Sequence, residues 1–380
     1  MDQVFVKDRL RLLLDHFGRV GDPRESCKVK YPLAEVLFLV TCASVAGCDD
    51  YDEIADWGDA HLPFLREHAE YFFGTPKEDW LRVVLNRIDP ALFAACFTAW
   101  ATQLRPDAAD LIALDGKTAR RSGEAGRGLP PIHLVSAWAS TQRLVLAQEA
   151  VDAKDNECAA MLSILERLTL KGALVTIDAI ATNPSMAKAI TDKEGDYLLA
   201  LKRNQPTLHD EVAAYFDDPA TTGLATSVSV DKDHGRIETR ITSVSHEIDW
   251  LEGGRRHPGE HRFHRLRSIV RATTQVERQG KTSRETRFFI SSALLTPERA
   301  ATAIRSHWGV ESLHWVLDVV FKEDQSRLRR GHGAQNMALV RRLAFNLIRV
   351  GKGKRSIKTA RKAAGWNTNT LAQIIHASPR

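Results

Sequence analysis

The chain is short of cysteine, and what it has is badly placed for cross-linking. Its five cysteines (Cys27, Cys42, Cys48, Cys96 and Cys158) are odd in number and none share CxxC spacing. They exclude a disulfide scaffold and read as reduced thiols of a cytoplasmic protein. Long apolar runs are also missing. The longest, residues 33–48, is broken by Glu35 and falls short of the roughly 20 residues a membrane span requires. It reads as a buried helix. The opening MDQVFVKDRL has no signal-peptide pattern, and there are no repeats or low-complexity tracts.

Several chemical signatures are absent too. Gly116-Lys117-Thr118 suggests a phosphate-binding loop, but the glycine needed five residues before Gly116 is Leu111. Gly123, Gly126 and Gly128 have the wrong spacing for a dinucleotide fingerprint, and no GxSxG nucleophile elbow occurs. His257, His261 and His264 lie close together without the cysteines or acids that complete a zinc site, and read as part of a basic loop.

What remains is a chain of 380 residues, 43% hydrophobic and 27% charged, enough for two or three soluble domains. The net charge of +5 is unevenly spread. Residues 1–250 hold 27 Lys and Arg against 39 Asp and Glu, a balance of −12, whereas residues 251–380 hold 26 against 9, a balance of +17. A polyanion-binding C-terminal third and a solvated basic surface both fit this asymmetry.

The hydrophobic pattern divides the chain. Residues 1–105 read as helices. Leu10, Leu13, Leu14 and Phe17 form one helical stripe, Pro32 opens the buried helix, and Asp89-Pro90 starts another. This region suits a DNA-end binder, a dimerisation unit or a scaffold. Arg105-Pro106-Asp107 reads as a linker. Residues 106–219 alternate strands and helices: strands at 111–114, 132–139 and 144–151, a helix, a strand at 173–177, a helix and a strand at 197–201. The short connections make the first three an antiparallel meander, and the helical crossovers make the last two parallel. The expected core is α/β, a mixed five-stranded sheet flanked by helices. Residues 220–292 read as a β-rich insertion, with 253–260 as a loop. Residues 293–380 return to helix and carry the basic C-terminus.

Three acids stand out. Asp115 follows the apolar strand LIAL, with Gly116 ending the run. Asp178 follows ALVTI. Glu311 lies on HWGVESLHWVLDVVF, expected to form one amphipathic helix with Glu311, His307, His314 and Asp318 on its polar stripe beside Trp308 and Trp315. A carboxylate at the mouth of a buried strand is costly without a positive partner. Two strand-end aspartates and a helical glutamate suit a pair of divalent ions about 4 Å apart, with Mg²⁺ favouring hard oxygen ligands. Asp-Gly turns explain the aspartates equally well, and a solvated helix face would explain the glutamate. Lys202 reads as a strand-end charge or a phosphate partner, and Arg327, Arg329 and Arg330 form a basic run suited to nucleic acid.

Taken in order, LIALDGKTARRS, VTIDAIATN, GDYLLALKRNQ and RSHWGVESLHWVLDVVFKEDQSRLR resemble the ISAs1-type insertion-sequence transposases, the H-repeat-associated proteins of the wider IS4-like group. DPRESCKVKYPLAEVLFL extends the resemblance into the N-terminal helices. It implies a DDE transposase with a ribonuclease-H-like core, Asp115, Asp178 and Glu311 as catalytic triad and metal ligands, and two Mg²⁺ ions, with Mn²⁺ as a substitute. It further implies terminal inverted repeats and target DNA as partners, and a homo-oligomer on DNA. The expected DNA contacts are Lys117, Lys202, His307, Trp308, Arg327, Arg329 and Arg330. Lys352, Lys354, Arg355, Lys358, Arg361 and Lys362 are candidates for non-specific backbone contacts. The Tyr, Arg and Lys that accompany the glutamate in the wider group are replaced here by Ile304, His307 and Asp318, so no Tyr or Lys role is carried over. A decayed or domesticated copy that binds DNA without cutting it is the alternative.

Overall fold

The computed structural model describes residues 2–104, 111–151, 156–233, 235–253 and 255–377. The expected linker at Arg105-Pro106-Asp107 lies outside them. Six helices come first: α1 (Asp2–Gly18), α2 (Leu33–Ala46), α3 (Tyr51–Ala60), α4 (Leu62–Arg66), α5 (Glu78–Arg87) and α6 (Pro90–Gln103). Local chemistry sets their ends. Asp50 caps α3 by accepting from the Glu53 N–H, and Asp89 caps α6 by accepting from Ala91 and Leu92. Gly47 closes α2 in the left-handed conformation (φ 115°) that glycine tolerates best. Among the described residues, no helix is long and apolar enough to cross a membrane.

Next come β1 (Leu111–Thr118), β2 (His133–Ala139), β3 (Leu144–Val151), α7 (Glu157–Arg167), β4 (Leu174–Ile177), α8 (Pro184–Asp192), β5 (Asp196–Leu201) and α9 (Pro206–Asp217). The meander β1-β2-β3 is antiparallel, and β1, β4 and β5 are parallel, as the connection lengths require. Then follow β6 (Ala225–Asp233), β7 (Arg236–Ser245), β8 (Arg255–His257), β9 (Glu260–His261), β10 (Ser268–Arg278) and β11 (Lys281–Ser291). The chain ends in α10 (Pro297–His307), α11 (Gly309–Val319), α12 (Gly333–Gly351), α13 (Ile357–Trp366) and α14 (Thr368–Ile375).

The protein is mixed α/β with one large sheet, and that sheet has nine strands, not five. Its order is β3-β2-β1-β4-β5-β11-β10-β7-β6. An open strand edge presents unpaired N–H and C=O groups. The β-rich segment satisfies those of β5 by pairing Phe288 with Leu201 and Ile290 with Leu199 in antiparallel register. The segment expected to be loop at 253–260 holds the small β8–β9 hairpin instead.

Alternation along β1 assigns the faces. Ala113 joins a core built from α1–α6 and α11–α14. Ile112 and Leu114 join a second core with α7, α8 and α9. The N-terminal and C-terminal helices therefore share one interior on one side of the sheet. Asn336 of α12 is part of that joint, donating to the carbonyls of Leu85 and Ile88.

Candidate active site

β1 does not end at Gly116. β2 pairs with it through Asp115↔Ser136, Gly116↔Val135 and Lys117↔Leu134 to Thr118↔His133. What ends is the pairing on the other side. The parallel register with β4 stops at Leu114↔Ile177, so Asp115 and Asp178 each stand one residue beyond the last pair. The two aspartates flank the crevice where β1 and β4 part. Ligands of parallel α/β sheets commonly bind at the carboxyl ends of strands.

Parity places Asp115 on the same face as Ala113, toward α11. His314 of α11 lies there, its Nδ1 3.7 Å from the Asp115 Oδ2. Burial pushes the Asp115 carboxyl up to about 6. The Gly116 N–H opposes this, while the negative charges of Glu157, Asp178 and Glu311 add to it. Residues from four separate elements or their ends thus act on one carboxyl group. Burial pulls His314 down to about 3, assisted by Arg342 and Lys117, so its ring is neutral. Burial would also raise Asp178, but the Ala179 N–H and Lys202 outweigh it and hold Asp178 low. The Lys202 ammonium stands 3.2 Å and 3.3 Å from the two Asp178 oxygens.

The helix expected over 307–321 is divided. His307 ends α10, Trp308 makes the junction, and α11 begins at Gly309. Glu311 is exposed in the first turn of α11. The break sends the two histidines different ways. His307 accepts from or donates to the Thr176 hydroxyl at 3.0 Å, beside Asp178. Trp308 is partly exposed, with the Arg287 guanidinium over its ring at 4.9 Å. A cleft of about 200 Å³ is lined by Asp178, Lys202, Arg287, His307 and Trp308. Neither Asp115 nor Glu311 lines it.

Of the expected DNA contacts, Lys202, Trp308, Arg327 and Arg330 have exposed or partly exposed side chains. Arg329 is half-buried and donates to the Arg121 carbonyl. Lys117 requires a correction. It is buried and ringed by Asp318 at 2.6 Å, Asp324 at 3.2 Å and Glu323 at 3.4 Å. Its ammonium is engaged inside the fold. The same holds for Arg361 of α13, which is buried, donates to the carbonyls of Ser44 and Cys48, and pairs with Asp49. Arg341 and Arg342 are buried as well. Part of the positive excess of the C-terminal third is therefore internal.

Sequence reasoning missed Glu157 and His133. Glu157 opens α7 and is buried, as is His133 of β2. They press on Gly116, where an added Cβ would meet the Glu157 Oε1 at 2.2 Å and the His133 Nε2 at 2.3 Å. Only the fold brings them there.

Among the described residues, no group of three or more His, Cys, Asp or Glu side chains has metal-holding spacing. The donor chemistry nonetheless suits a cation. Asp115 is repelled by three other carboxylates, and Glu157 has a buried oxygen without a hydrogen-bond partner. A divalent ion among hard oxygens would relieve both.

Residues 106–347 match the family described as "Transposase DDE domain", and residues 14–101 match the one described as "DDE_Tnp_1-associated". The chain belongs to the DDE transposase family, a class of enzymes that cleave DNA and transfer its strands. It is 34% identical over 384 residues to the Escherichia coli (strain K12) protein YhhI, which carries the name of an H-repeat-associated transposase; 97% of this chain and 99% of that protein are covered. It is 34% identical to YncI of Escherichia coli O157:H7, named as a transposase, over 96% of this chain and 95% of that one. An uncharacterised Xanthobacter autotrophicus protein is 39% identical over 74% of this chain and 94% of its own. A solved piggyBac transposase synaptic complex with hairpin DNA covers 95% of this chain and 79% of that chain at 10% identity, with a TM-score of 0.44, a likeness too low to bear on the site.

Proposed function

We propose that this transposase uses Asp115, Asp178 and Glu311 as its acidic triad and acts on the terminal inverted repeats of an insertion sequence. One observation carries the proposal: Asp115 and Asp178 each stand one residue beyond the last β1–β4 pair, and His314, one turn after Glu311 on α11, lies 3.7 Å from the Asp115 carboxyl. The order β3-β2-β1-β4-β5, with β4 and β5 parallel to β1, supports a ribonuclease-H-like core in 106–219, completed by α11. Residues 1–105, 220–292 and 293–380 are then the helical domain, the β-rich insertion and the second part of the core with its basic tail. The protein acts in the cytoplasm, as an oligomer on paired DNA ends.

Asp115, Asp178 and Glu311 are the residues that would hold two Mg²⁺ ions, or Mn²⁺ in their place. Bound there, such ions supply a nucleophile at neutral pH and stabilise the leaving oxygen. The chain's own groups arrange the rest. Asp115 is fixed by pairing on the β2 side. Lys202, held beside Asp178, and the exposed Arg327 and Arg330 suit backbone phosphates. Trp308 and Arg287 wall the cleft next to Asp178, where a nucleotide near the scissile phosphate would be oriented. Hydrolysis frees a 3′ hydroxyl, which then attacks a target phosphorus in line and displaces a 3′ oxygen. Both steps are displacements at phosphorus, so one site serves both.

The test is a cleavage assay, with and without Mg²⁺, on DNA carrying the repeats that flank the gene. Asp115→Ala, Asp178→Ala and Glu311→Ala are each expected to abolish cleavage and leave end binding intact. Full cleavage by any one of them would remove that acid from the triad. Binding without cleavage by the unaltered protein would identify it as a copy that holds DNA but does not cut it.

A further inference from the structure

Glu157 combines three features that a structural carboxylate rarely has together. It is 5% exposed. Its Oε2 is buried with no hydrogen-bond partner. The nearest basic group, the His133 Nε2, is 3.7 Å away, beyond hydrogen-bond reach, and is itself unpartnered. The other ring nitrogen of His133 is engaged with the Thr118 hydroxyl at 2.9 Å. A carboxyl oxygen buried in an interior without a hydrogen bond is costly, so a further group is expected to meet it.

Its position says what. Gly116 has Leu114's parity and faces the α7 side of the sheet; Asp115 has Ala113's parity and faces α11. Glu157 comes up against Gly116 because that residue has no side chain. It therefore reaches the crevice from the opposite face to His314 and Glu311. Asp178 closes it from the end of β4. Glu157 also exerts the largest charge effect on Asp115 of any carboxylate.

We infer that Glu157 is a fourth carboxylate of the cation site, serving the ion held at Asp115 from the α7 face of the sheet. The inference rests on the cation-site reading of Asp115 proposed above. In this arrangement Gly116 is the gap through which two faces of one sheet contribute to one ion. His133, held by its 2.9 Å hydrogen bond with Thr118, stands 3.7 Å from the Glu157 carboxyl.

The probe is Mn²⁺ alone, titrated into the full-length protein and followed by electron paramagnetic resonance, so no catalysis is involved. Glu157→Gln is expected to weaken Mn²⁺ binding about tenfold or more. Glu166→Gln, an exposed change on the same helix, is the control and leaves it unaltered. Asp115→Asn is expected to remove the site. Unaltered Mn²⁺ affinity in Glu157→Gln, with loss in Asp115→Asn, would overturn the inference alone. Unaltered affinity in Asp115→Asn would overturn the cation-site reading beneath it. If the glutamine variant melts early, Glu157→Asp keeps the charge and carries the same test. Affinity between the unaltered protein and Asp115→Asn supports the inference, and full affinity overturns it.

Discussion

Lys117 of β1 reaches across to α11 and meets Asp318 at 2.6 Å. Asp318 sits two turns after Glu311 on the same helix, and Lys117 sits two residues after Asp115 on the same strand. The ion pair therefore ties the element that carries one acid of the site to the element that carries another. Glu323 extends the link to Arg342 of α12, both of them buried.

Removing that lysine would leave Asp318, Glu323 and Asp324 facing one another. Lys117→Met is expected to cost about 3 kcal/mol or more, the usual penalty for breaking a buried pair from one side. Lys322→Met, whose pair with Asp49 is half exposed, is expected to cost less than about 1 kcal/mol. Denaturant unfolding of both variants checks this, and equal losses would show that Lys117 is no strut.

The Asp115 carboxyl gives the fold a defined pH response when no divalent ion is present. Its folded value of about 6 lies above the ordinary aspartate value of 3.8. The folded state then binds the extra proton, so stability falls as pH rises from about 4 to about 6 and is level above that. The full penalty is about 3 kcal/mol. Asp115→Asn should therefore unfold at higher denaturant than the unaltered protein at pH 8 in EDTA, with the difference gone near pH 4. A variant less stable at pH 8 would contradict this sign.

Gly116 has no space for a methyl group between Glu157 and His133. Gly116→Ala is expected to lose about 1–3 kcal/mol through overpacking, and to impair cleavage more than end binding because the displaced groups surround Asp115. Thermal melting and gel-shift binding of the same variant read the two effects separately. Unchanged melting would mean the neighbours move aside freely.

The exposed arginines and the buried ones should separate in a salt titration. Arg327→Ala and Arg330→Ala are each expected to lower the slope of log affinity against log salt by about 1, the signature of a lost phosphate contact. Arg361→Ala should destabilise the fold, because its guanidinium holds the carbonyls of Ser44 and Cys48 together with Asp49. Its slope should stay the same. A reduced slope for Arg361→Ala would place that residue at DNA after all.

Much of the secondary structure was legible because its signals are local. The helix start at Asp89-Pro90 and the apolar runs of β3 and β4 depend on neighbours a few residues away. Strand directions followed from connection length. The break at Trp308 was not legible. The apolar stripe of α11 runs smoothly to its start, and nothing local marks that the indole Nε1 of Trp138 lies 3.0 Å from where a Cβ on Gly309 would stand. The nine-stranded sheet was hidden for a similar reason: alternation shows that β11 is a strand, but not whose edge it joins.

By itself, the order of residues determined which acids stand at the ends of apolar runs, and the family that four ordered motifs mark. It could do so because a carboxylate beside a buried strand is a local anomaly, readable without partners. Tertiary structure alone decided which charges remain available. Lys117 and Arg361 look as free in the chain as Lys202 and Arg327, yet packing buries the first two among carboxylates and carbonyls. It also brought Glu157 and His133 to Gly116, since a side chain's electrostatic surroundings are set by contacts far apart in sequence.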